Sequence, residues 1–510
     1  MGQAGTALWF ARHEARLAWR DWLSMMTGGR RERLPRALIA IAFFVVFMHL
    51  VAYWMVGRYA TAVPDKGTLV TISASVLLSF FLMVSQAMES ATRAFYSRSD
   101  LDLILSSPAS SERIFAVRML TIALSIAMMA LPLAVPFIDV LIVRGGWRWL
   151  GAYGLIVAMG AAATALALSL TVALYCAVGP KRTRFVAQVV AAVIGAAFVI
   201  GLQVAAILSY GSLSRGSVVE SQAVIAHAPG LGSIVWWPAR AALGDVGALL
   251  GVLLASFALL AGVILVVAPR FGEYAITASA AASTAGGSAG RFAEFHSVSP
   301  RGALRRKEWL LLRRDPWLVS QTLMQMLYLI PPAVLLWHSF GDGNNGAYQL
   351  LVPVLVMAAG QLAGGLSWLA ISGEDAPDLV ATAPIPGSFI TRAKIEAVLA
   401  VIAVVFTPLV GALAFASPWH ALVTACGIVV AAAAATSIQL WFRTQAKRSQ
   451  FRRRQVSSRF ATFAEAFSSI GWAATSAVAA ASLWLAVVPG LIALAVLAGA
   501  RLMSPRPNAA

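Results

Sequence analysis

Long apolar runs broken at short polar intervals set the rhythm of this chain. They occupy 37–57, 68–88, 114–138, 149–178, 185–209, 246–268, 318–339, 347–371, 391–416, 420–442, 461–482 and 485–503. A helix needs roughly 20 such residues to cross the hydrocarbon core of a bilayer. The runs are continuous rather than alternating, which argues against a transmembrane barrel. The pattern predicts an all-α, polytopic helical membrane protein with about twelve transmembrane helices. The boundary between the last two spans is the faintest, and Val488, Pro489 and Gly490 carry its turn signal.

One polar interruption has a pattern of its own. Residues 99–120 read SDLDLILSSPASSERIFAVRML. Leu101, Ile104 and Leu105 fall at i, i+3 and i+4, which predicts a short amphipathic helix over 98–108 ending at Pro108. Asp100 and Asp102 sit near its start, where the helix dipole favours negative charge. Ser110 is placed to cap the next helix, with Glu112 in its first turn. Such a corner helix suits docking into a groove on another protein, or packing on the ends of its own bundle; the residues leave both open.

The chain repeats itself. Residues 12–21 read RHEARLAWRD and residues 306–315 read RKEWLLLRRD. In the first copy Arg12, Arg16 and Arg20 form an i, i+4, i+8 stripe opposite Ala11, Ala15, Ala18, Trp19 and Trp22, the signature of a helix lying in the membrane interface. Interfacial helices are therefore expected over 7–26 and 303–315, carrying Arg12, Glu14, Arg16 and Arg20, and Arg306, Glu308 and Arg314. The corner stretch recurs as GEDAPDLVATAPIPGSFITRAK at 373–394. Matching Pro108 with Pro384 pairs Asp102 with Asp378, Leu103 with Leu379, Ile114 with Ile390 and Arg118 with Lys394. Each copy stands between the second and third spans of its half. The chain thus reads as two pseudo-symmetric six-helix halves, 1–269 and 301–510, joined by an Ala/Ser/Gly-rich linker at 270–300. An even span count makes the halves parallel, so they can pair about an axis along the membrane normal.

Charge orients this arrangement. The net charge is +18, yet 33 of the 39 Lys and Arg fall on one side of the predicted bundle, that of the two termini, and 6 on the other. Such a bias marks the cytoplasmic side, and it replaces nucleic-acid binding as the reason for the excess. Both termini are expected in the cytoplasm of a cell with the protein in its inner membrane. The opening segment is charged and amphipathic, so no cleavable signal is expected. The long loop 210–245 holds Trp236 and Trp237 as an interfacial anchor, and Cys176 and Cys426 read as small core residues.

The interfacial helix 12–21, the six spans and the DLDLILSSP…R helix between spans two and three resemble the permease subunit of an ABC exporter of the type-2 permease superfamily. The resemblance extends over both halves and implies a fused form. It implies that the helices 98–108 and 373–387 are coupling helices contacting an ATPase through Asp102, Leu103, Ile104, Pro108 and Arg118, and through Asp378, Leu379, Pro384 and Lys394. The second copy departs from the first in its early Pro377 and its charge pattern. No Gly-x-x-x-x-Gly-Lys-Ser/Thr occurs, so the chain is not itself expected to be an enzyme or to bind a cofactor; ATP would belong to a separate ABC ATPase subunit, in two copies. Membrane lipid and a transported substrate of unidentified chemistry are the other implied partners.

Two rivals carry fewer signals. A 6+6 secondary transporter of the major facilitator type should show a Gly-rich loop between spans two and three, which YSRSDLDLILSSP does not match. A membrane enzyme acting on a lipid-linked substrate needs clustered polar groups, and His227, Asp245, His338, Asp342 and His420 are scattered. Ionisable groups within or near the spans are His49, Glu89, Asp139, Glu396 and Glu465, with structural roles favoured; Glu89 is placed to pair with Arg118. Glutamines such as Gln439 suit interhelical hydrogen bonds or the lining of a path, with the first favoured.

Overall fold

The computed structural model describes residues 34–56, 60–96, 110–210, 221–274, 276–277, 299–314, 326–338, 345–372, 386–442 and 459–504, with Arg12, Arg16, Arg20, Leu323, Thr382 and Pro384 besides. Among them there is no strand. Fifteen α-helices are introduced here in chain order. The first eight are α1 (Leu34–Val56), α2 (Lys66–Tyr96), α3 (Ser111–Gly145), α4 (Gly151–Val178), α5 (Pro180–Tyr210), α6 (Gln222–His227), α7 (Trp237–Ala242) and α8 (Val246–Val267). The others are α9 (Pro300–Arg314), α10 (Ile330–His338), α11 (Asn345–Ser372), α12 (Gly387–Ala416), α13 (Pro418–Phe442), α14 (Arg459–Ala481) and α15 (Val487–Met503).

Eight stretches among the described residues are long and apolar enough to cross a membrane: Lys66–Thr92, Glu112–Gly145, Trp147–Val178, Arg182–Ala205, Val246–Tyr274, Tyr348–Ile371, Gly387–Ala416 and Pro418–Phe442. They coincide with eight of the twelve expected spans. The other four stand outside that set. The run 37–57 falls in α1, a continuous helix of 23 residues ending at Val56, and Val487–Leu502 is a shorter apolar helix. Only Ile330–His338 of 318–339 forms a described helix of any length. Helix α14 has 23 residues, but Glu465, Ser468, Ser469 and Ser476 lower its apolar character.

The turn before α15 lies at 482–486, earlier than Val488–Gly490. Pro489 therefore sits in the first turn of α15, where its missing N–H has no helical acceptor to lose.

The chain divides into two compact units, residues 1–202 with 215–290, and residues 203–214 with 291–510. In the first, α4 is the central helix. Its small residues Ala158, Gly160, Ala161, Ala163, Thr164, Ala165 and Ala167 are buried, and α2, α3 and α8 pack around them. Small side chains let helix backbones approach closely where no water drives association. Gly146 (φ +87°) and Gly179 (φ +80°) close α3 and α4 in conformations that side chains resist. At the start of α3, Ser110 is the extended N-cap residue and Glu112 lies in the first turn, but the serine hydroxyl makes no capping bond.

Two aspartates do cap helices. Asp65 Oδ1 accepts from Thr68 N at 3.2 Å, and Asp245 Oδ1 from Ala248 N at 3.0 Å. Trp236 is 4 % exposed. Its Nε1 bonds Gly230 O at 3.1 Å, so it is a core residue of the loop rather than a lipid anchor. Cys176 and Cys426 are free but exposed, facing outward from α4 and α13 instead of into the core.

In the second unit α11, α13 and α14 pack on one another. The contact is a row of glycine notches filled by polar side chains of α14. A Cβ on Gly364 would stand 2.0 Å from the Glu465 carboxyl carbon, one on Gly360 2.5 Å from Ser469 Oγ, and one on Gly427 2.3 Å from Ser476 Oγ. Gln439 Nε2 of α13 donates to Glu465 Oε2 at 2.5 Å, the interhelical role expected of it.

Candidate functional site

Two residues from the repeated sequence elements of the second half, Glu308 and Lys394, meet in space. Helix α9 starts three residues before its expected bound, where Ser299 Oγ accepts from Gly302 N at 3.3 Å and Pro300 opens the first turn. It packs along the start of α12. Arg305 and Arg306 face solvent, as an interfacial helix requires, but Glu308 is 0 % exposed. This corrects the sequence reading, which grouped Glu308 with the polar residues of a surface helix. The carboxylate is turned inward because Lys394 waits there. Lys394 Nζ donates to Glu308 Oε1 at 3.0 Å and Oε2 at 3.2 Å, and to the carbonyl oxygen of Ala370 at the end of α11. Lys307 Nζ adds a second cation 3.3 Å from Glu308 Oε1.

An ammonium offers three donors, and all three directions around Lys394 meet acceptors. A single side chain therefore ties α9, α11 and α12 together. The pair is dry: the side chains are 12 % (Lys394) and 1 % (Glu308) exposed. A buried charge pair is costly to break from one side, because the surviving charge stays desolvated.

A second, wetter tie lies beside it. Arg305 Nε is 2.5 Å from Glu396 Oε2. The carboxylate raises the Arg305 guanidinium further above its already basic range. Arg301 stacks over the Phe389 ring at 4.5 Å. An open groove of about 530 Å³ runs along the first turns of α12, lined by Gly387, Ser388, Thr391, Arg392, Ile395 and Glu396.

Other residues singled out from sequence have these places. Pro384 is an exposed bend just before α12, while Asp378 and Leu379 lie outside the described residues. Gly387, expected as the end of the corner segment, is already the first residue of α12. In the first half, Asp102, Leu103, Ile104, Pro108 and Glu14 also lie outside the described residues; Arg118 is half-buried in α3. Arg12, Arg16 and Arg20 are helical and all exposed, in keeping with their common stripe. Arg314 closes α9.

The corner of the first unit, at the α2 and α3 ends, is held by aromatic rings. Phe115 lies 4.6 Å from Phe271 and 6.2 Å from Phe95, ring centre to ring centre, and all three are buried.

The sequence reading separated Glu308 from Lys394, assigning one to the interface and the other to the corner. Glu396, which lies at the same corner as Lys394, bonds Arg305. Three of the scattered polar residues, Asp245, His420 and His227, have local work. Asp245 caps α8 and holds Arg240 Nη2 at 2.6 Å. His420 Nδ1 lies 2.7 Å from Ser417 Oγ, and His227 Nδ1 lies 2.8 Å from Ala223 O. The Asp245 carboxyl is held below its ordinary range, first by the bond from Ala248 N and then by Arg240.

The fold and this corner define a polytopic helical protein with, among the described residues, eight helices suited to a membrane. Comparison with known families, curated proteins and solved structures gives no match.

Proposed function

We propose that this chain is the membrane-spanning permease subunit of an ATP-driven exporter, with about twelve spans in two six-span halves. Both termini are cytoplasmic and the inner membrane is its site. ATP is hydrolysed by a separate subunit, two copies of which dock on the segments 98–108 and 373–387. The observation that best supports this reading is the wiring of the second corner. Segment 373–386 joins α11 to α12, and Lys394 links the end of α11, the start of α12 and the surface helix α9. A push on the segment is transmitted to all three at once, because a dry ion pair does not stretch without losing its partner. Closure of an ATPase dimer would tilt both halves in this way and alternate access to a path between them.

The test is co-expression and co-purification with each ABC ATPase subunit of the same cell that lacks spans of its own, with ATP turnover as the readout. The pair Leu103→Asp and Leu379→Asp should abolish both association and stimulation of turnover. Association that survives both changes would sink the docking assignment. A proton-coupled secondary transporter is the second reading. It is favoured by an ionisable pair within the helices of the first unit, His49 and Asp139. Substrate flux in vesicles that follows a pH gradient and ignores ATP would establish it.

A further inference from the structure

Three side chains from three helices converge in the first unit. His49 of α1 places Nε2 3.4 Å from Asp139 Oδ2 of α3. Tyr153 of α4 donates its hydroxyl to Asp139 Oδ1 at 2.5 Å. The other histidine nitrogen, Nδ1, is 2.8 Å from the carbonyl oxygen of Val45. A carbonyl oxygen only accepts, so Nδ1 carries a hydrogen. A neutral imidazole has no second one. Its Nε2 would then turn a lone pair towards a carboxylate oxygen, which is a repulsive contact.

We propose that His49 and Asp139 form a proton-binding site, with the proton on Nε2 and an imidazolium–carboxylate pair as the occupied state. Each ring nitrogen then donates, one to Val45 O and one to Asp139 Oδ2, while the second carboxylate oxygen accepts from Tyr153.

The surroundings favour the occupied state. The pair borders an apolar groove of about 350 Å³ lined by Val45, Val46, Leu50, Tyr53 and Val140. His49 lies seven residues from the end of α1 at Val56, a rise of about 10 Å. Next to hydrocarbon a neutral pair is tolerated far better than a lone carboxylate.

The other charged or titratable groups nearby are engaged elsewhere. Arg144 of α3 lies 4.9 Å over the Tyr53 ring. Arg148 donates from Nη2 to Ala60 O at 2.6 Å and stacks over Trp149. Neither arginine bonds Asp139 among the described residues. The tie from α1 to α3 therefore exists as a charge pair only while the proton is bound.

The experiment is nitrogen-15 solid-state NMR of the full chain, labelled at histidine and placed in lipid bilayers at neutral pH. His49→Gln identifies the His49 signals by their disappearance. Both ring nitrogens of His49 should carry hydrogen in the unaltered protein. Asp139→Asn should leave one nitrogen bare, whereas Tyr153→Phe should keep both protonated. A bare Nε2 in the unaltered protein overturns the proposal, and that spectrum decides whether or not the variants fold. The readout is a protonation state, so it is independent of the ATPase-docking assignment.

Discussion

Replacing Lys394 with Met removes the one cation that reaches Glu308, the end of α11 and the body of α12 together. Glu308, its side chain 1 % exposed, is then left with Lys307 at 3.3 Å, whose side chain is 29 % exposed. The reverse change, Glu308→Leu, takes both carboxylate oxygens from a desolvated ammonium that still donates to the Ala370 carbonyl. Breaking a buried pair from one side costs about 3–5 kcal/mol. Lys394→Met belongs near the lower bound because Lys307 remains, and Glu308→Leu near the upper. The double change removes both desolvated charges, leaves Lys307 with a side chain that reaches water, and fills the space with apolar atoms, so it should lie within about 1 kcal/mol of the unaltered protein. The assay is reversible unfolding in mixed micelles, followed by tryptophan fluorescence, for all four proteins of the cycle. A coupling of at least about 2 kcal/mol is expected, against the few tenths seen for independent sites. Single-change costs that simply add in the double variant would refute the account of α9 and α12 as locked by a dry ion pair.

Three further outcomes follow from other parts of the fold. Gly364→Ala puts a Cβ 2.0–2.4 Å from the Glu465 carboxyl atoms. It should destabilise by about 1–3 kcal/mol, and Glu465→Ala in the same chain should recover part of the loss in the same unfolding assay. Asp245→Ala should cost about 1 kcal/mol through the lost cap of α8, measured by thermal unfolding, while Asp245→Asn keeps a capping oxygen. Because the folded Asp245 carboxyl is held below its ordinary range, its charge stabilises the fold above about pH 4. That contribution fades as pH falls through the folded value. Acid unfolding of Asp245→Asn should accordingly be less steep than that of the unaltered chain below pH 4. Gly145→Ala should loosen the α3–α4 turn, since its Cβ would stand 2.2 Å from Ala60 O, the acceptor shared by Arg148 and Trp149; faster proteolysis near residue 60 is the expected sign.

The apolar rhythm of the chain determined the helices themselves. Continuous runs such as 149–178 and 420–442 can only be helices if they lie in a membrane, because no strand there satisfies its own backbone. The density of alanine and glycine in those runs also announced close packing, which α4 and α13 display. Repetition of RHEARLAWRD and of the corner stretch marked Glu308 and Lys394 as worth attention, each on its own element.

Which groups pair is a different kind of fact. Lys394 is two residues from Glu396 and 86 from Glu308, yet it is the distant carboxylate that it binds. The choice was made by the rotation of α12 against α9, which turns Lys394 inward and Glu396 towards Arg305. In the same way the depth of Glu465 reads as an anomaly in α14 until Gly364 opens a notch for it and Gln439 meets it. His49 and Asp139 stand 90 residues apart in sequence, and no periodicity links them. Helix formation is local and is written in hydropathy, whereas the pairing of charges depends on how finished helices rotate and approach. That step is set by side-chain shapes across the whole unit, and only the tertiary structure records it.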